Sequence, residues 1–139
     1  MLRFADLVDG QELKPLVKPA VSKVQLVKYA GASGDYNLLH TDDAFARSMG
    51  LPGAIAHGML VMGFLGEYIQ QLAGVTARVA KFNMRFGAMT KPGDEITCAA
   101  TVKRVYEDEG KKYVEFELQA AKSIKEIVGS GSVLLEFFE

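Results

Sequence analysis

The chain has 139 residues, of which 49% are hydrophobic and 24% charged, and its formal net charge is −1. This composition is typical of a globular protein and excludes a disordered chain, so we expect residues 1–139 to form a single domain. The positive charges are spread along the chain, which argues against nucleic-acid binding through a basic patch.

The single cysteine, Cys98, cannot form an internal disulfide and lies in an apolar, strand-like run. It indicates a packed thiol in a reducing compartment, and we expect a cytoplasmic protein. The first ten residues lack the apolar core of a signal peptide. The longest apolar run, residues 58–66, is shorter than the roughly 20 residues that a bilayer span requires, so we expect no membrane segment.

The N-terminal third predicts an edge segment and a helix. Pro15 and Pro19 each lack an amide donor, so a strand here belongs at a sheet edge or in a covering arm. Ser22 and Gln25 have the spacing of a capping box, which predicts a helix that ends between residues 31 and 34. The apolar positions at helical spacing in this helix are Val24, Val27 and Ala30.

Residues 34–40 are predicted to form a loop, after which Thr41 caps a short helix that Gly50 ends. A longer helix starts at His57 or Gly58 and ends at Gly74. It is apolar almost all round as far as Glu67, which predicts burial on most sides.

Two glycines, Gly63 and Gly66, lie inside this longer helix, and each costs roughly 1 kcal/mol relative to alanine. Either another backbone packs closely against them, which we favour, or the space is kept free for a ligand.

From residue 76 onward the hydrophobic pattern changes to period two, which predicts long strands. Four segments carry this pattern: residues 78–89, 95–106, 112–121 and 127–138. Because they follow one another directly after the helices, antiparallel pairing and an α+β fold are expected. A curved sheet built from these strands would wrap around the apolar helix.

Asp35 and His40 are five residues apart in the predicted loop, which begins with a glycine and continues into a helix cap. An imidazole has an ordinary pKa of about 6.5, and a carboxylate beside it can orient it or share the proton, so together they can activate one water molecule. The alternative interpretation is that Asp35 caps the turn and His40 has a surface or core position.

His57 and Gly58 lie at the start of the long helix. The first N–H groups of a helix have no internal acceptor, and the macrodipole makes that end partly positive. Glycine allows a substrate carbonyl to approach the Gly58 amide, as stabilisation of an oxyanion requires. The alternative is that His57 simply caps the helix while Gly58 permits tight packing.

An acid–base pair together with an oxyanion donor favours proton transfer beside a carbonyl through an enolate. Addition of water to an α,β-unsaturated thioester, and its reversal, fits these groups. Thioester hydrolysis would use the same donor and is the nearest alternative.

The stretch from Tyr29 to Gly66 resembles the hydratase motif of the MaoC-like dehydratases, the (R)-specific enoyl-CoA hydratases with a hot-dog fold. The matching residues are Tyr29, Gly34, Asp35, Asn37, Leu39, His40 and the run from Ala56 to Met59, together with the segments 83–86 and 91–94. The resemblance covers approximately residues 20–105.

The resemblance implies a single hot-dog domain in which a curved antiparallel sheet wraps around the helix that starts near Gly58. It gives Asp35 and His40 the catalytic roles and the Gly58 amide the oxyanion role. It further implies a homodimer, or a heterodimer with another hot-dog chain, whose substrate enters near the interface. The resemblance implies no metal or redox cofactor. Coenzyme A or phosphopantetheine takes part only as the thioester carrier of the substrate.

The chain departs from the family pattern at two positions. Leu38 replaces the proline that usually follows the Asn, which removes a rigid φ from the loop. Gly66 replaces a serine that supports the site in some members.

We also expect Asn37, Tyr36, His57, Gly63, Gly66 and Arg85 to lie at the substrate site. Tyr36 is either a pocket wall or, as we favour, a packing residue. Arg85, with Lys91, Lys103 and Arg104, either meets substrate phosphates or lies on a solvated face.

The sequence therefore predicts (R)-specific hydration of trans-2-enoyl thioesters, or dehydration of (3R)-hydroxyacyl thioesters, on coenzyme A or acyl carrier protein. Three alternatives stay open at this point. They are a hot-dog acyl-CoA thioesterase, a non-catalytic acyl-binding subunit of a heterodimeric dehydratase, and a regulatory module that binds acyl-CoA without turnover.

Overall fold

The computed structural model describes residues 2–139. Within that range the helices are α1 (Lys23–Ser33), α2 (Asp43–Ser48) and α3 (Gly58–Ala73), with 3₁₀ turns at Phe4–Asp6 and Leu38–His40. The strands are β1 (Leu16–Val17), β2 (Ala77–Phe86), β3 (Thr97–Asp108), β4 (Lys111–Ser123) and β5 (Glu126–Phe137). The long helix and the four long strands predicted from the sequence are confirmed.

The strands form one antiparallel sheet with the order β1-β3-β4-β5-β2. Irregularities of the register, such as the one between Val102 and Arg104 in β3, lie along its length. Bulges of this kind increase the local twist, and the sheet curls into a half-barrel. The tight turn from β3 to β4 has positive φ at Glu109 and Gly110, as hairpin turns require. The predicted α+β fold is confirmed.

Helix α3 lies in the concavity of this sheet. The α3 side chains that pack into the core are Val61, Phe64, Leu65, Tyr68, Ile69, Leu72 and Ala73. They meet alternate residues of the strands, for example Cys98, Ala100 and Val102 of β3, which point to the same face of the sheet. Burial of this apolar surface is the main source of stability for the fold.

Helix α3 is buried on most sides, as predicted, but one side of it is open. A stripe that includes Met59, Gly63 and Glu67 is exposed. A Cβ built at Gly63 or Gly66 would have no heavy atom of residues 2–139 within 4 Å, apart from its chain neighbours and the helix's own nearby backbone. Close packing within this chain therefore does not explain either glycine, and the space beside them is open.

The N-terminal segments cover one edge of the sheet and one end of α3. Strand β1 lies between Pro15 and Pro19 and pairs with the edge of β3, so the predicted edge position is confirmed. The Ser22 hydroxyl accepts a hydrogen bond from the Gln25 amide and caps α1, as predicted. The buried residues of α1 are Leu26 and Ala30.

Two details of the predicted helices were wrong. Val24 and Val27 of α1 are exposed, because α1 turns the face with Leu26 inward. Asp42, not Thr41, caps α2 by accepting a hydrogen bond from the Phe45 amide. Thr41 instead ends the preceding 3₁₀ turn, where its amide donates to the Leu38 carbonyl.

Cys98 is fully buried, and burial raises the pKa of its thiol to about 11. A thiol of this kind is a packing group, as predicted. None of the helices described between residues 2 and 139 has the length and hydropathy that a membrane crossing would need.

Candidate active site

The loop after α1 is fixed by a series of side-chain to backbone hydrogen bonds. Gly34 ends α1 with φ of +76°, a conformation that favours glycine. The Ser33 hydroxyl accepts from the Asp35 amide at 3.2 Å, and Asp35 Oδ1 accepts from the Asn37 amide at 3.2 Å. Asn37 Oδ1 then accepts from the Leu39 amide at 3.0 Å. These turns hold Asp35 in place although half of its side chain is exposed.

His40 is oriented by the backbone of the segment that leads into α3. Its Nδ1 lies 2.8 Å from the Ile55 carbonyl oxygen, which requires Nδ1 to carry the proton and to donate. The free lone pair is therefore on Nε2, which lies 3.7 Å from Asp35 Oδ2. That separation exceeds a direct hydrogen bond and leaves both atoms able to contact one water molecule.

His57 contacts both Asp35 and His40. Its Nε2 lies 3.2 Å from the Asp35 carbonyl oxygen and donates to it. The His57 ring is stacked between Tyr29 and His40, with centroid distances of 4.8 Å and 3.8 Å. His57 occupies the N-cap position of α3, but its side chain makes no capping hydrogen bond, so the interpretation as a capping side chain was wrong.

Helix α3 directs its N-terminus into the same space. Gly58 is its first residue, and a Cβ at this position would lie 3.1 Å from two carbons of the Phe86 ring. A cavity of about 510 Å³ opens beside it, and its lining includes Asp35, His40, His57 and Gly58. The structure thus brings together the carboxylate, the imidazole and the helix N-terminus that the sequence identified separately.

The segment before α3 is anchored to α2 by Asp43. Asp43 Oδ1 accepts from the Ala54 amide at 2.9 Å, and its other oxygen pairs with Lys23 of α1. The hydrogen bonds from Lys23 and from Ala54 lower the pKa of Asp43 below its ordinary value. The carboxylate therefore joins the starts of α1 and α2 to the segment that positions His57.

Five of the residues predicted at the substrate site are not part of this cavity: Tyr36, Asn37, Gly63, Gly66 and Arg85. Tyr36 is 69% exposed, so the favoured packing role was wrong as well. Arg85 lines a separate, polar depression with Lys103 on the sheet face opposite α3. Alternation along β2 and β3 places these two cations on that face.

The structure adds residues to the site that the sequence analysis did not assign. Tyr29, quoted only as part of the motif, stacks on His57, and the Ile55 carbonyl sets the tautomer of His40. Phe86 and Thr90 form part of the opposite wall of the cavity. Phe86 was quoted only as part of the matching segment 83–86, and Thr90 had no recognisable signal in the sequence, because each reaches the site only through strand pairing and loop packing.

Asp35, His40 and His57 each place one potential metal-ligand atom within 4.8 Å of the others. The two imidazole planes, however, are stacked at 3.8 Å with an angle of 22°. Ring nitrogens bind a metal along lone pairs in the ring plane at about 2.0–2.1 Å, so nearly parallel rings cannot both point at one ion. The arrangement favours proton transfer over chelation.

Comparisons with known proteins show the family and the fold of this chain. The family model of the MaoC like domain matches residues 6–123. An (R)-specific enoyl-CoA hydratase of Rhodospirillum rubrum is 28% identical over 134 residues, which cover 95% of this chain and 90% of that protein. The solved structure of the (R)-hydratase from A. caviae involved in PHA biosynthesis superposes with a TM-score of 0.82 at 25% identity, covering 94% of this chain and 96% of that one.

A similarity to a much longer protein covers only part of the chain. The fatty acid synthase subunit beta of Aspergillus oryzae is 41% identical over 71 residues, which are 50% of this chain and 4% of that subunit.

Proposed function

The chain belongs to the MaoC-like domain family, and from that premise we propose that it is a hydro-lyase acting on trans-2-enoyl thioesters. It adds water to give the (3R)-hydroxyacyl thioester and catalyses the reverse dehydration. The observation that carries the proposal is the convergence of Asp35, His40 and the N-terminus of α3 on one cavity.

Asp35 and His40 activate the water. The free Nε2 of His40 and Oδ2 of Asp35, 3.7 Å apart, hold one water molecule between them and receive its proton as its oxygen attacks C3. Donation from Nδ1 to the Ile55 carbonyl keeps the imidazole in the tautomer that this step needs. The proton held by the pair then goes to C2, so no net proton is gained or lost.

The α3 N-terminus stabilises the intermediate. As the C3–O bond forms, the π electrons of the double bond move towards the thioester oxygen and create an enolate. The Gly58 amide donates to this oxygen, and the helix dipole adds a favourable field. A single donor of this kind contributes about 10²–10³ in rate.

His57 has a supporting role in this mechanism. Its ring stacks on His40 while its Nε2–H holds the Asp35 carbonyl, so one side chain fixes both members of the pair. The reaction needs neither a metal nor a redox cofactor, and coenzyme A or phosphopantetheine enters as part of the substrate.

We further propose that residues 1–139 form one hot-dog domain and that it works as a dimer. Three apolar side chains lining the cavity are about half exposed: Met59, Phe86 and Met89. Strand β2 is the last strand of the sheet and presents one edge without a described partner strand in residues 2–139. A second hot-dog chain beside that edge would cover these side chains, and the mass in solution measured by light scattering tests this.

Hydration of crotonyl-CoA by the purified chain tests the function. We expect loss of the enoyl absorbance without release of free thiol, and (3R)-hydroxybutanoyl-CoA as the product. Release of thiol at the rate of substrate loss would instead identify a thioesterase. Binding of crotonyl-CoA without any turnover would favour a non-catalytic subunit.

A further inference from the structure

One wall of the cavity is formed by residues 87–90, which we call the wall segment. Three hydrogen bonds tie its backbone to neighbouring backbone. The amides of Gly87 and Ala88 each donate at 2.9 Å, to the carbonyls of Val128 and Ile127. At its other end, the carbonyl of Thr90 accepts from the Ala56 amide at 2.7 Å. The wall segment is thus fixed at both ends.

Its centre is held by a side chain from a distant strand. Lys122, near the end of β4, donates from Nζ to the Met89 carbonyl at 2.8 Å. Within residues 2–139 this is the one side-chain hydrogen bond to the backbone of the wall segment. Met89 itself is half exposed at the cavity, so its own side chain does not hold it in place.

Lys122 is well suited to hold a fixed position. Its side chain is only 12% exposed, and Nζ also lies 3.2 Å from both Asp94 Oδ2 and Glu126 Oε2. The three N–H groups of the ammonium therefore have three acceptors. Burial disfavours the charge, but the two carboxylates outweigh it and raise the pKa of Lys122 above its ordinary value.

The same contacts connect the wall segment to α1. Asp94 Oδ2 accepts from the Lys91 amide at 2.9 Å, and the Asp94 carbonyl accepts from the Val21 amide at 2.9 Å. Val21 lies immediately before the cap of α1. Lys122 thus lies where the wall segment, the β4–β5 turn and the start of α1 meet.

We propose that Lys122 is a positioning residue that sets the acyl-chain range of the cavity by fixing the wall segment. This inference rests on the proposed hydration of enoyl thioesters. Lys122 touches none of the groups assigned to the chemistry. Loss of the Lys122 ammonium group should allow the wall segment to move aside for longer acyl chains, while the positions of Asp35, His40 and Gly58 do not change.

The experiment compares Lys122→Met, which retains the length of the side chain without its charge, with Lys125→Met in the β4–β5 turn that follows. Lys125 is exposed and is not part of the cavity lining. We expect the ratio of kcat/KM for trans-2-octenoyl-CoA over crotonyl-CoA to rise at least threefold in Lys122→Met. The kcat for crotonyl-CoA should stay within a factor of two, and Lys125→Met should match the wild type on both measures.

Two further measurements do not depend on turnover. Hydrogen exchange followed by mass spectrometry should accelerate in peptides that cover the wall segment and stay unchanged in α3. The ratio of Kd values for octanoyl-CoA and butanoyl-CoA should shift in the same sense as the kinetic ratio. If the wild type binds these ligands but hydrates none of the enoyl thioesters, the proposed function is refuted. The hydrogen exchange and the ratio of Kd values would still test the role of Lys122.

An unchanged acyl-length ratio in Lys122→Met would overturn the proposal. An equal loss of kcat/KM for both substrates would also overturn it, since that indicates general damage to the fold. If Lys122→Met does not fold, Asp94→Asn replaces it, because Asn retains an oxygen for the Lys91 amide while removing the charge that faces Lys122. The ratio of kcat/KM for trans-2-octenoyl-CoA over crotonyl-CoA must then rise in Asp94→Asn. A ratio equal to that of the wild type refutes the inference.

Discussion

Replacement of Asp35 by Asn and of His40 by Ala tests the centre of the proposed mechanism. Asp35→Asn removes the negative charge but retains an oxygen that can accept from the Asn37 amide, so the loop keeps its turn. His40→Ala removes the free Nε2 and also the hydrogen bond to the Ile55 carbonyl. The lost hydrogen bond is expected to lower the free energy of unfolding by about 1 kcal/mol, which a folded domain tolerates.

The expected loss of kcat/KM in these variants follows from the geometry of the Asp35–His40 pair. A positioned general base typically contributes about 10²–10⁴ in rate, so each single variant should lose at least a hundredfold in kcat/KM. Two independent hundredfold losses would multiply to about 10⁴. Because Oδ2 of Asp35 and Nε2 of His40 lie 3.7 Å apart and hold the same water, their losses should not multiply. We expect the double variant to be no more than about tenfold worse than the poorer single variant.

The assay is hydration of crotonyl-CoA at several substrate concentrations, with the melting temperature and the mass in solution of each variant measured in parallel. Asp42→Asn is the matched control, since Asp42 caps α2 outside the cavity and Asn retains the capping oxygen. Its kcat/KM should stay within twofold of the wild type.

Two results would refute the reasoning. One is retention of more than a tenth of the activity by both folded single variants, which would remove the pair from the mechanism. The other is a double variant whose loss equals the product of the single losses, which would show that the two side chains do not act on one water.

Three further predictions concern other parts of the molecule. Gly58→Ala should lower kcat/KM at least tenfold, because its methyl group would lie 3.1 Å from the Phe86 ring, so that either this ring or the start of α3 with the Gly58 amide must shift. Thr90→Val should raise the free energy of unfolding by about 1 kcal/mol, since the buried Thr90 hydroxyl has no hydrogen-bond partner among residues 2–139. Stability to urea should fall between pH 9 and 11, because the unfolded chain releases the Cys98 proton at an ordinary pKa of 9.0 and the folded protein at about 11.

Each of these has its own control. Met59→Ala, a substitution at the next residue of α3, should affect kcat far less than Gly58→Ala, and an equal effect of the two would contradict the oxyanion role. Thr76→Val removes a hydroxyl bonded to the Leu2 and Ala73 carbonyls, so it should destabilise where Thr90→Val stabilises. Cys98→Ala should make the loss of stability between pH 9 and 11 less steep, and a slope equal to that of the wild type would rule out a contribution of the thiol.

Local patterns in the sequence predicted the elements of this protein. Period-two alternation identified the four long strands, and the apolar run between His57 and Gly74 identified the central helix, because side-chain periodicity follows directly from backbone geometry. Turn chemistry identified the loop with Asp35 and His40. These features depend on near neighbours in the chain, and so a sequence is sufficient to predict them.

The sequence was less informative about which face of a helix is buried. Val24, Val27 and Ala30 were expected on the apolar face of α1, but only Ala30 of these three is buried, and Leu26 is buried beside it. On α3 the stripe with Gly63 is open. A short apolar helix offers more than one face for burial, and the position of the sheet decides between them.

What the sequence by itself determined is which chemical groups the site contains: a carboxylate, an imidazole and a glycine at a helix start. Only the tertiary structure decided how they meet, through the Ile55 carbonyl that sets the tautomer of His40, the stacking of His57, and the wall segment held by Lys122. These contacts join residues far apart in the chain, and their distances arise from the packing of loops against the sheet rather than from local spacing.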